Sequence, residues 1–259
     1  MSYPYARLMD RPGHSVYSCR ERAPHRALGY LRRMASTAPA LTPERTADGS
    51  FTLYNARLNE RYHSTHGAIQ ESTHVFIEMG LMHLGRPHVD VLEVGLGTGL
   101  NLLLTWIRCL EGKLTANYTA LEPFPLSAEQ LVALDHCQEL AWPGLHDPFV
   151  ERMTGMHDAP WEPFGGLRFQ KLPMAVQQFN AEGMADLIYF DAFAPMVQPE
   201  MWTLEVFQRM FRALRPGGVL VTYCAKGEVR RTMQQAGFLV QRLPGPPGKR
   251  EMLRAARAA

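Results

Sequence analysis

The chain has 259 residues, of which 46% are apolar and 20% are charged. This composition is typical of a globular protein that buries a sizeable core, and one main domain is the default expectation. No apolar run reaches the roughly 18 residues that a membrane-spanning helix needs. The four cysteines contain no C-x-x-C pair. The sequence therefore predicts no membrane span, no disulfide framework and no cysteine-based zinc site.

Positive charge is concentrated near the N-terminus. Residues 1–47 contain eight arginines and three acidic residues, whereas residues 48–259 have a net charge of −3. The segment lacks the apolar core of a secretory signal, and three interpretations stay open: an organelle transit peptide, an RNA-contacting tail, or a gene-model artefact ahead of a true start at Met34. We divide the chain into an arginine-rich extension, residues 1–47, expected to be poorly ordered or artefactual, and a domain, residues 48–259.

In chain order, the apolar pattern predicts an extended segment, a helix, and then alternating strands and helices. The predicted strands are residues 51–54, 89–94, 117–122, 167–171, 186–191, 218–224, 238–243 and 251–255. The predicted helices are residues 69–84, 100–110, 127–140, 174–179, 200–214 and 228–236. Residues 142–166, rich in Pro and Gly, are expected to form a surface loop. Continuous apolar strands alternating with helices predict an α/β fold with an open, largely parallel sheet and helices on both faces.

A glycine-rich loop follows the first buried strand. It reads Gly95-Leu96-Gly97-Thr98-Gly99 and opens a predicted helix, whose free N–H groups point at the loop. The G-x-G-x-G spacing differs from the G-x-G-x-x-G of dinucleotide-binding loops and favours S-adenosylmethionine over NAD. Glu122 ends the next strand, where a carboxylate can accept hydrogen bonds from ribose hydroxyls. The alternative is an ordinary strand-to-helix turn with a solvated carboxylate.

A second polar position follows the strand at residues 186–191. Asp191 ends this strand, next to Phe193 and at the same sheet edge as the glycine loop. A carboxylate there can orient an incoming amine by accepting its hydrogen bond, and it can also take its proton. The alternative role is structural, as a cap for the following loop or helix.

These residues belong to blocks that resemble a known family. Residues 191–195, DAFAP, and 199–203, PEMWT, look like the methyltransferase domain of the bifunctional tRNA-modifying protein MnmC and its stand-alone, MnmD-type relatives. Further blocks occur in the family's order: GLGTGLN at 95–101, EPFPL at 122–126, RPGG at 215–218, VRR at 229–231, AGF at 236–238 and GKREML at 248–253. The resemblance covers about residues 48–255.

The resemblance implies a Rossmann-like class I S-adenosylmethionine-dependent methyltransferase with a seven-stranded sheet. It further implies methylation of the aminomethyl group of 5-aminomethyl-(2-thio)uridine at the wobble position of tRNA, giving 5-methylaminomethyl-(2-thio)uridine. The chain holds no second dinucleotide signature, so only the methylation step is expected, with tRNA as partner and the cytoplasm as location. Residues 48–85 resemble a lid segment of the family.

Candidate site residues follow from the motifs and the resemblance. The expected catalytic residues are Asp191, Tyr62 and Glu71. The expected cofactor-binding residues are Gly95, Gly97, Thr98, Gly99, Asn101, Glu122 and Asp191. The expected substrate-binding residues are Phe193, Pro195, Lys249 and Arg250. No metal is expected, because His63 and His66 lack a carboxylate or cysteine partner at metal-ligand spacing and are interpreted as polar loop residues.

Two other functions stay open. One is methyl or aminopropyl transfer to a small amine, since aminopropyltransferases share this fold and a carboxylate after the fourth strand. The other is a non-catalytic module that binds S-adenosylmethionine or RNA. Trp202 is interpreted as a core residue, because it shares a helical spacing with Val206 and Met210.

Overall fold

The computed structural model describes residues 41–155 and 164–259. The expectations for residues 1–40, including the start at Met34, lie outside the described residues. Leu41–Arg45 form a strand, β1, although the predicted boundary assigned them to the N-terminal extension. Regular structure therefore begins ahead of residue 48.

A small antiparallel sheet begins the described part of the chain. It consists of β1, β2 (Phe51–Asn55) and β3 (Glu60–Arg61), in that order. The turn between β1 and β2 is held by Asp48, whose carboxylate accepts hydrogen bonds from the backbone N–H groups of Ser50 and Gln70, both at 3.1 Å. The second bond ties the small sheet to the following helix.

The larger sheet has seven strands in the order β6-β5-β4-β7-β8-β10-β9. Pairing is parallel from β6 through β8, and β10 pairs antiparallel with β8 and β9. The predicted sheet is confirmed, with its strand order reversing between β5 and β7 on either side of β4. The strands are β4 (His88–Val94), β5 (Thr115–Leu121), β6 (Leu167–Leu172), β7 (Ala185–Phe190), β8 (Leu214–Thr222), β9 (Leu239–Pro244) and β10 (Glu251–Ala256).

Helices cover both faces of this sheet. In β7, Leu187 and Tyr189 belong to one core cluster and Ile188 and Phe190 to another, as expected when successive side chains point to opposite faces. The α-helices are Ala68–Ser72, Leu100–Leu110, Ala128–Leu134, His136–Glu139, His146–Thr154, Leu204–Ala213 and Gly227–Gln235. Thr73–Met82 continue the first of these as a π-helix, and 3₁₀ turns occur at Pro143–Leu145, Val176–Gln178 and Pro199–Met201.

The prediction that residues 142–166 form a surface loop is wrong in part. His146–Thr154 form an α-helix that buries Phe149 and Met153, and residues 156–163 lie outside the described ranges. Pro148 does not interrupt this helix, because it occupies the first turn, where backbone N–H groups have no intrahelical partner. Pro143 and Pro148, which suggested a loop, thus lie at the start of a 3₁₀ turn and in the first turn of an α-helix.

Two predicted helices differ from the structure. Residues 127–140 form two helices, because Asp135 between them has a left-handed φ of 46°. Ser127 caps the first of these helices, with Gln130 N–H donating to Ser127 Oγ. Residues 174–179 contain only the 3₁₀ turn Val176–Gln178. This connection must cross from the edge strand β6 to β7, three strands away, and an extended chain covers that distance better than a helix.

Candidate active site

The register of the sheet brings three predicted residues together. Val94, at the end of β4, pairs with Leu121 of β5 on one side and with Phe190 of β7 on the other. The residues that follow these three are Gly95, Glu122 and Asp191. The carboxyl ends of parallel strands meet at one edge, so the glycine loop and both carboxylates lie side by side at the point where strand order reverses.

The glycine loop depends on the absence of side chains. Gly95 has φ 89°, and a Cβ there would lie 2.5 Å from the carbonyl oxygen of Asp191. Gly99 has φ 75° and precedes the helix Leu100–Leu110, where a Cβ would overlap Met153 and Phe149. The loop is therefore held between β7 and the helix His146–Thr154, with its backbone facing a cavity of about 380 Å³.

Glu122 is fixed beside the loop by backbone donors. Its carboxylate oxygens accept hydrogen bonds from Gly97 N–H at 3.0 Å and Phe124 N–H at 2.8 Å. Burial raises the pKa of Glu122, while these N–H groups oppose the shift. A carboxylate has about four acceptor positions, so Glu122 keeps acceptor capacity for a ligand hydroxyl. The open space left by the missing side chains of the glycine loop, and a carboxylate with free acceptor capacity beside it, both fit a ribonucleoside cofactor.

Asp191 belongs to a polar network that continues below the cavity. Asn101 Nδ2 donates to Asp191 Oδ2 and to Glu93 Oε1, both at 2.9 Å, and the Tyr118 hydroxyl donates to Glu93 Oε2 at 2.8 Å. Glu93 is fully buried, and burial raises its pKa. The pKa of Asp191 is raised to about 7, first by burial and then by the nearby carboxylate of Glu71.

The lid segment covers the loop from the other side. The Tyr62 ring lies 3.1 Å from the position of a Cβ on Gly97 and contacts the ring of Phe193, with 5.1 Å between centroids. His63 Nε2 is 2.7 Å from Thr98 Oγ1. Burial lowers the pKa of His63 to about 3. His63 thus contacts the glycine loop instead of being only a polar loop residue.

Glu71 and Lys249 also line the cavity, close enough to Asp191 to affect its pKa. The Lys249 ammonium forms an ion pair with Glu71 Oε1, and Glu71 Oε2 accepts a hydrogen bond from Ser64 N–H at 3.0 Å. Lys249 Nζ also lies 3.9 Å from the centroid of the Tyr223 ring. Two carboxylates, one ammonium group and an aromatic face therefore line one end of the cavity.

Most of the predicted site residues line this single cavity. They are Tyr62, Glu71, Gly95, Gly97, Thr98, Asn101, Glu122, Asp191, Phe193 and Lys249. Gly99, Pro195 and Arg250 are not among the lining residues; Gly99 packs against the helix behind the loop, and Arg250 is exposed at the start of β10. Trp202 is buried, and its Nε1 donates to the carbonyl of Phe193 at 2.8 Å, so this core residue also supports the site.

Sequence reasoning missed Glu93, Tyr118 and Tyr223. Glu93 stands two residues ahead of Gly95 in an otherwise apolar strand, and a lone carboxylate in a buried run was a usable signal. Tyr118 and Tyr223 carried no comparable signal, because an aromatic residue in or after a strand is ordinarily a core residue.

Metal and membrane features are absent from the described ranges. No group of three or more His, Cys, Asp and Glu side chains there is arranged to hold a metal ion. No helix within 41–155 or 164–259 is long and apolar enough to cross a bilayer. Cys109, Cys137 and Cys224 are buried free thiols.

Comparisons with known proteins point to S-adenosyl-L-methionine-dependent methyltransferases. The sequence model of a family of S-adenosyl-L-methionine-dependent methyltransferases matches residues 166–258. The tRNA 5-methylaminomethyl-2-thiouridine biosynthesis bifunctional protein MnmC of Cupriavidus necator is 34% identical over 216 residues, 77% of this chain and 32% of the relative. MnmC of Ralstonia nicotianae is 32% identical over 236 residues, 83% of this chain and 34% of the relative. The chain thus spans about a third of the length of these relatives.

A solved structure shows the same fold. The crystal structure of MNMC2 from Aquifex aeolicus superposes with a TM-score of 0.68 at 23% identity, covering 92% of this chain and 80% of that one. The resemblance predicted from the sequence blocks and the predicted cofactor are confirmed. The chain is therefore a class I S-adenosyl-L-methionine-dependent methyltransferase that resembles the methyltransferase part of the MnmC proteins.

Proposed function

We propose that this enzyme methylates the aminomethyl group of 5-aminomethyl-(2-thio)uridine at the wobble position of tRNA. The observation that carries the proposal is the pair of carboxylates, Asp191 and Glu71, which face one cavity beside the glycine loop. Two carboxylates in a partly buried site attract a cationic group, and a primary alkylamine is a cation at neutral pH, with a pKa of about 10.

The acceptor nitrogen must lose a proton before it can attack a methyl group. With a pKa near 7, Asp191 is suited to take that proton at neutral pH. The ammonium group gives its proton to the carboxylate, and the neutral amine keeps its lone pair for the new bond. Asn101 holds Asp191 Oδ2 in place, so the carboxylate orients the amine as well.

The glycine loop and Glu122 are the residues that would hold the cofactor, with the ribose hydroxyls on the carboxylate. S-adenosylmethionine held there would supply an electrophilic methyl group on a sulfonium sulfur, which is a good leaving group for attack by an amine. Tyr62 and Phe193 cover the loop and restrict water from the reacting end. The product is a secondary ammonium and leaves Asp191 protonated until it exchanges with solvent.

The choice of tRNA as acceptor is supported by the relatives. The names of the C. necator and R. nicotianae proteins place them in biosynthesis of 5-methylaminomethyl-2-thiouridine in tRNA. A nucleoside must be unstacked to enter a cavity of this kind, and Phe193 is an aromatic lining residue on which its base can stack. The cytoplasm, where tRNA is modified in bacteria, is the location that this substrate implies.

The proposal is tested by transfer of label from methyl-labelled S-adenosylmethionine into tRNA that carries 5-aminomethyluridine, followed by nucleoside analysis. We expect label in 5-methylaminomethyluridine and its loss with Asp191→Asn. The matched control is Asp147→Asn, because Asp147 is exposed and is not among the residues that line the cavity, so this variant should retain activity.

Other results would redirect the assignment. Saturable labelling of a free polyamine, with none in tRNA, would contradict the tRNA proposal and favour transfer to a small amine. Cofactor binding without turnover on either acceptor would favour a binding module.

A further inference from the structure

Lys249 occupies a position with the chemistry of an ammonium-binding site. Its Nζ contacts the carboxylate of Glu71 and lies 3.9 Å from the centroid of the Tyr223 ring. A carboxylate at one side and an aromatic face at another are the two groups that recognise alkylammonium ions in proteins. In this structure the cation between these two groups is the ammonium group of Lys249.

Glu71 and Tyr223 are held in place, whereas Lys249 is on a loop. Glu71 is in the helix Ala68–Ser72, is 6% exposed, and its second oxygen accepts from Ser64 N–H. Tyr223 directly follows β8, and its hydroxyl donates to the Ala192 carbonyl at 2.8 Å, which fixes the ring. Lys249 lies in the connection between β9 and β10, and its side chain is 31% exposed.

We propose that Glu71 and Tyr223 form the binding site for the acceptor's ammonium group, and that Lys249 fills this site until the acceptor displaces it. This rests on the proposed function only in requiring an amine acceptor. The displaced lysine moves toward solvent beside Arg250, where both cations can contact the phosphates of a polynucleotide. Glu71 and Tyr223 then distinguish an aminomethyl group from a neutral substituent, and Asp191 takes the proton.

The site can be probed without tRNA by replacing the lysine side chain in part. Lys249→Ala removes a propylammonium fragment, so n-propylammonium chloride is the matched ligand and 1-propanol its neutral counterpart. We expect the variant to bind n-propylammonium on the order of tenfold more tightly than 1-propanol, measured by calorimetry at constant ionic strength. Lys249→Met, which keeps the aliphatic volume without the charge, should bind neither.

The two partners are tested in the same background. Adding Glu71→Gln or Tyr223→Leu to Lys249→Ala should reduce the preference for n-propylammonium to near one. Equal binding of the two ligands by Lys249→Ala, or an unchanged preference in the double variants, would overturn the inference.

A second measurement uses the otherwise unaltered chain and full-length tRNA. The ratio of Kd values for tRNA with unmodified and with aminomethylated wobble uridine should exceed one and fall toward one with Glu71→Gln. A preference for n-propylammonium without any tRNA preference would keep the ammonium site and contradict the tRNA acceptor. Loss of the n-propylammonium preference in a Lys249→Ala protein that circular dichroism shows to be folded would contradict the ammonium site.

Discussion

Asp191 illustrates how environment sets the chemistry of one side chain. In water an aspartate would be too weak a base to take a proton from an ammonium group efficiently. Burial and the facing carboxylate of Glu71 raise its pKa to about 7, whereas the hydrogen bond from Asn101 opposes the shift. The balance leaves a base whose strength matches neutral pH.

Activity should follow the ionisation of Asp191. We expect kcat/KM for the aminomethyl acceptor to rise with pH to a plateau above about 7, because only the carboxylate accepts a proton. Asp191→Asn should lower kcat by roughly 10²- to 10⁴-fold, and any change in the cofactor Kd measures a contact between Asp191 and the cofactor. The measurement is a pH series of initial rates with calorimetric cofactor binding. If the residual activity of Asp191→Asn still falls as pH drops below 7, the group that takes the proton is another residue.

Gly95 should tolerate no side chain. Gly95→Ala combines a positive φ with a Cβ 2.5 Å from a backbone oxygen, so we expect a loss of at least about 2 kcal/mol in unfolding free energy and weaker cofactor binding. Gly112→Ala is the matched control, because Gly112 also has a positive φ but no atom within 4 Å of its Cβ. Urea denaturation measures both. Equal losses in the two variants would show that backbone strain alone matters.

Among the elements, the helix His146–Thr154 packs directly against the glycine loop. Phe149 and Met153 are buried, and both lie where a Cβ on Gly99 would be. The Lys171 ammonium donates to the Met153 carbonyl near the end of the helix, which joins it to β6. The helix therefore supports the glycine loop from behind, although none of its residues lines the cavity.

Removing Phe149 should weaken both the fold and the loop. We expect Phe149→Ala to lower the unfolding free energy by about 3–5 kcal/mol through lost burial and a residual cavity, and to raise the cofactor Kd. Val132→Ala, at a position 49% exposed in the helix Ala128–Leu134, should change stability by less than about 0.5 kcal/mol. Chemical denaturation and calorimetry provide the two readouts. An unaltered Kd in a destabilised Phe149→Ala protein would separate this helix from the loop.

The secondary-structure elements also show which parts of the fold the sequence pattern predicts and which it does not. Buried parallel strands are continuous apolar runs, so β4 and β7 were predicted to within one residue, and the residues after them were correctly placed at one edge. The helix at residues 146–154 was missed because prolines in a first turn resemble loop residues. The break at Asp135 depends on a single left-handed φ, which a helical pattern does not reveal.

At the scale of the molecule, the site joins residues that are far apart in the chain. Glu71 and Lys249 are separated by 178 positions and meet only because the helix Ala68–Ser72 and the connection between β9 and β10 lie over the same sheet edge. The resemblance named both residues, but neither their ion pair nor the position of Tyr223 follows from a local motif. Such contacts depend on the topology of the fold. The hydrophobic periodicity of the sequence constrains that topology only weakly.

The unfolding free energy of the whole protein should depend on the protonation of His136, a buried histidine near the lid segment. His136 is 2% exposed, neither ring nitrogen has a hydrogen-bond partner among the described residues, and its ring faces that of His63 at 6.3 Å. Burial lowers the pKa of His136 from 6.5 to about 4. Its neutral form is therefore favoured in the folded state, and stability is fully present above pH 6.5 and lost as pH falls toward 4.

We expect His136→Leu to remove this pH dependence. At pH 7.5 the variant should be as stable as the wild type or slightly more so, because an unpartnered imidazole is replaced by an apolar group. Between pH 7.5 and 5 the wild type should lose about 2 kcal/mol relative to the variant, which follows from one proton taken up on unfolding. Urea titrations at both pH values measure the difference, with His88→Leu, an exposed histidine, as control. A constant difference between wild type and His136→Leu would mean that the fold does not lower the pKa of His136.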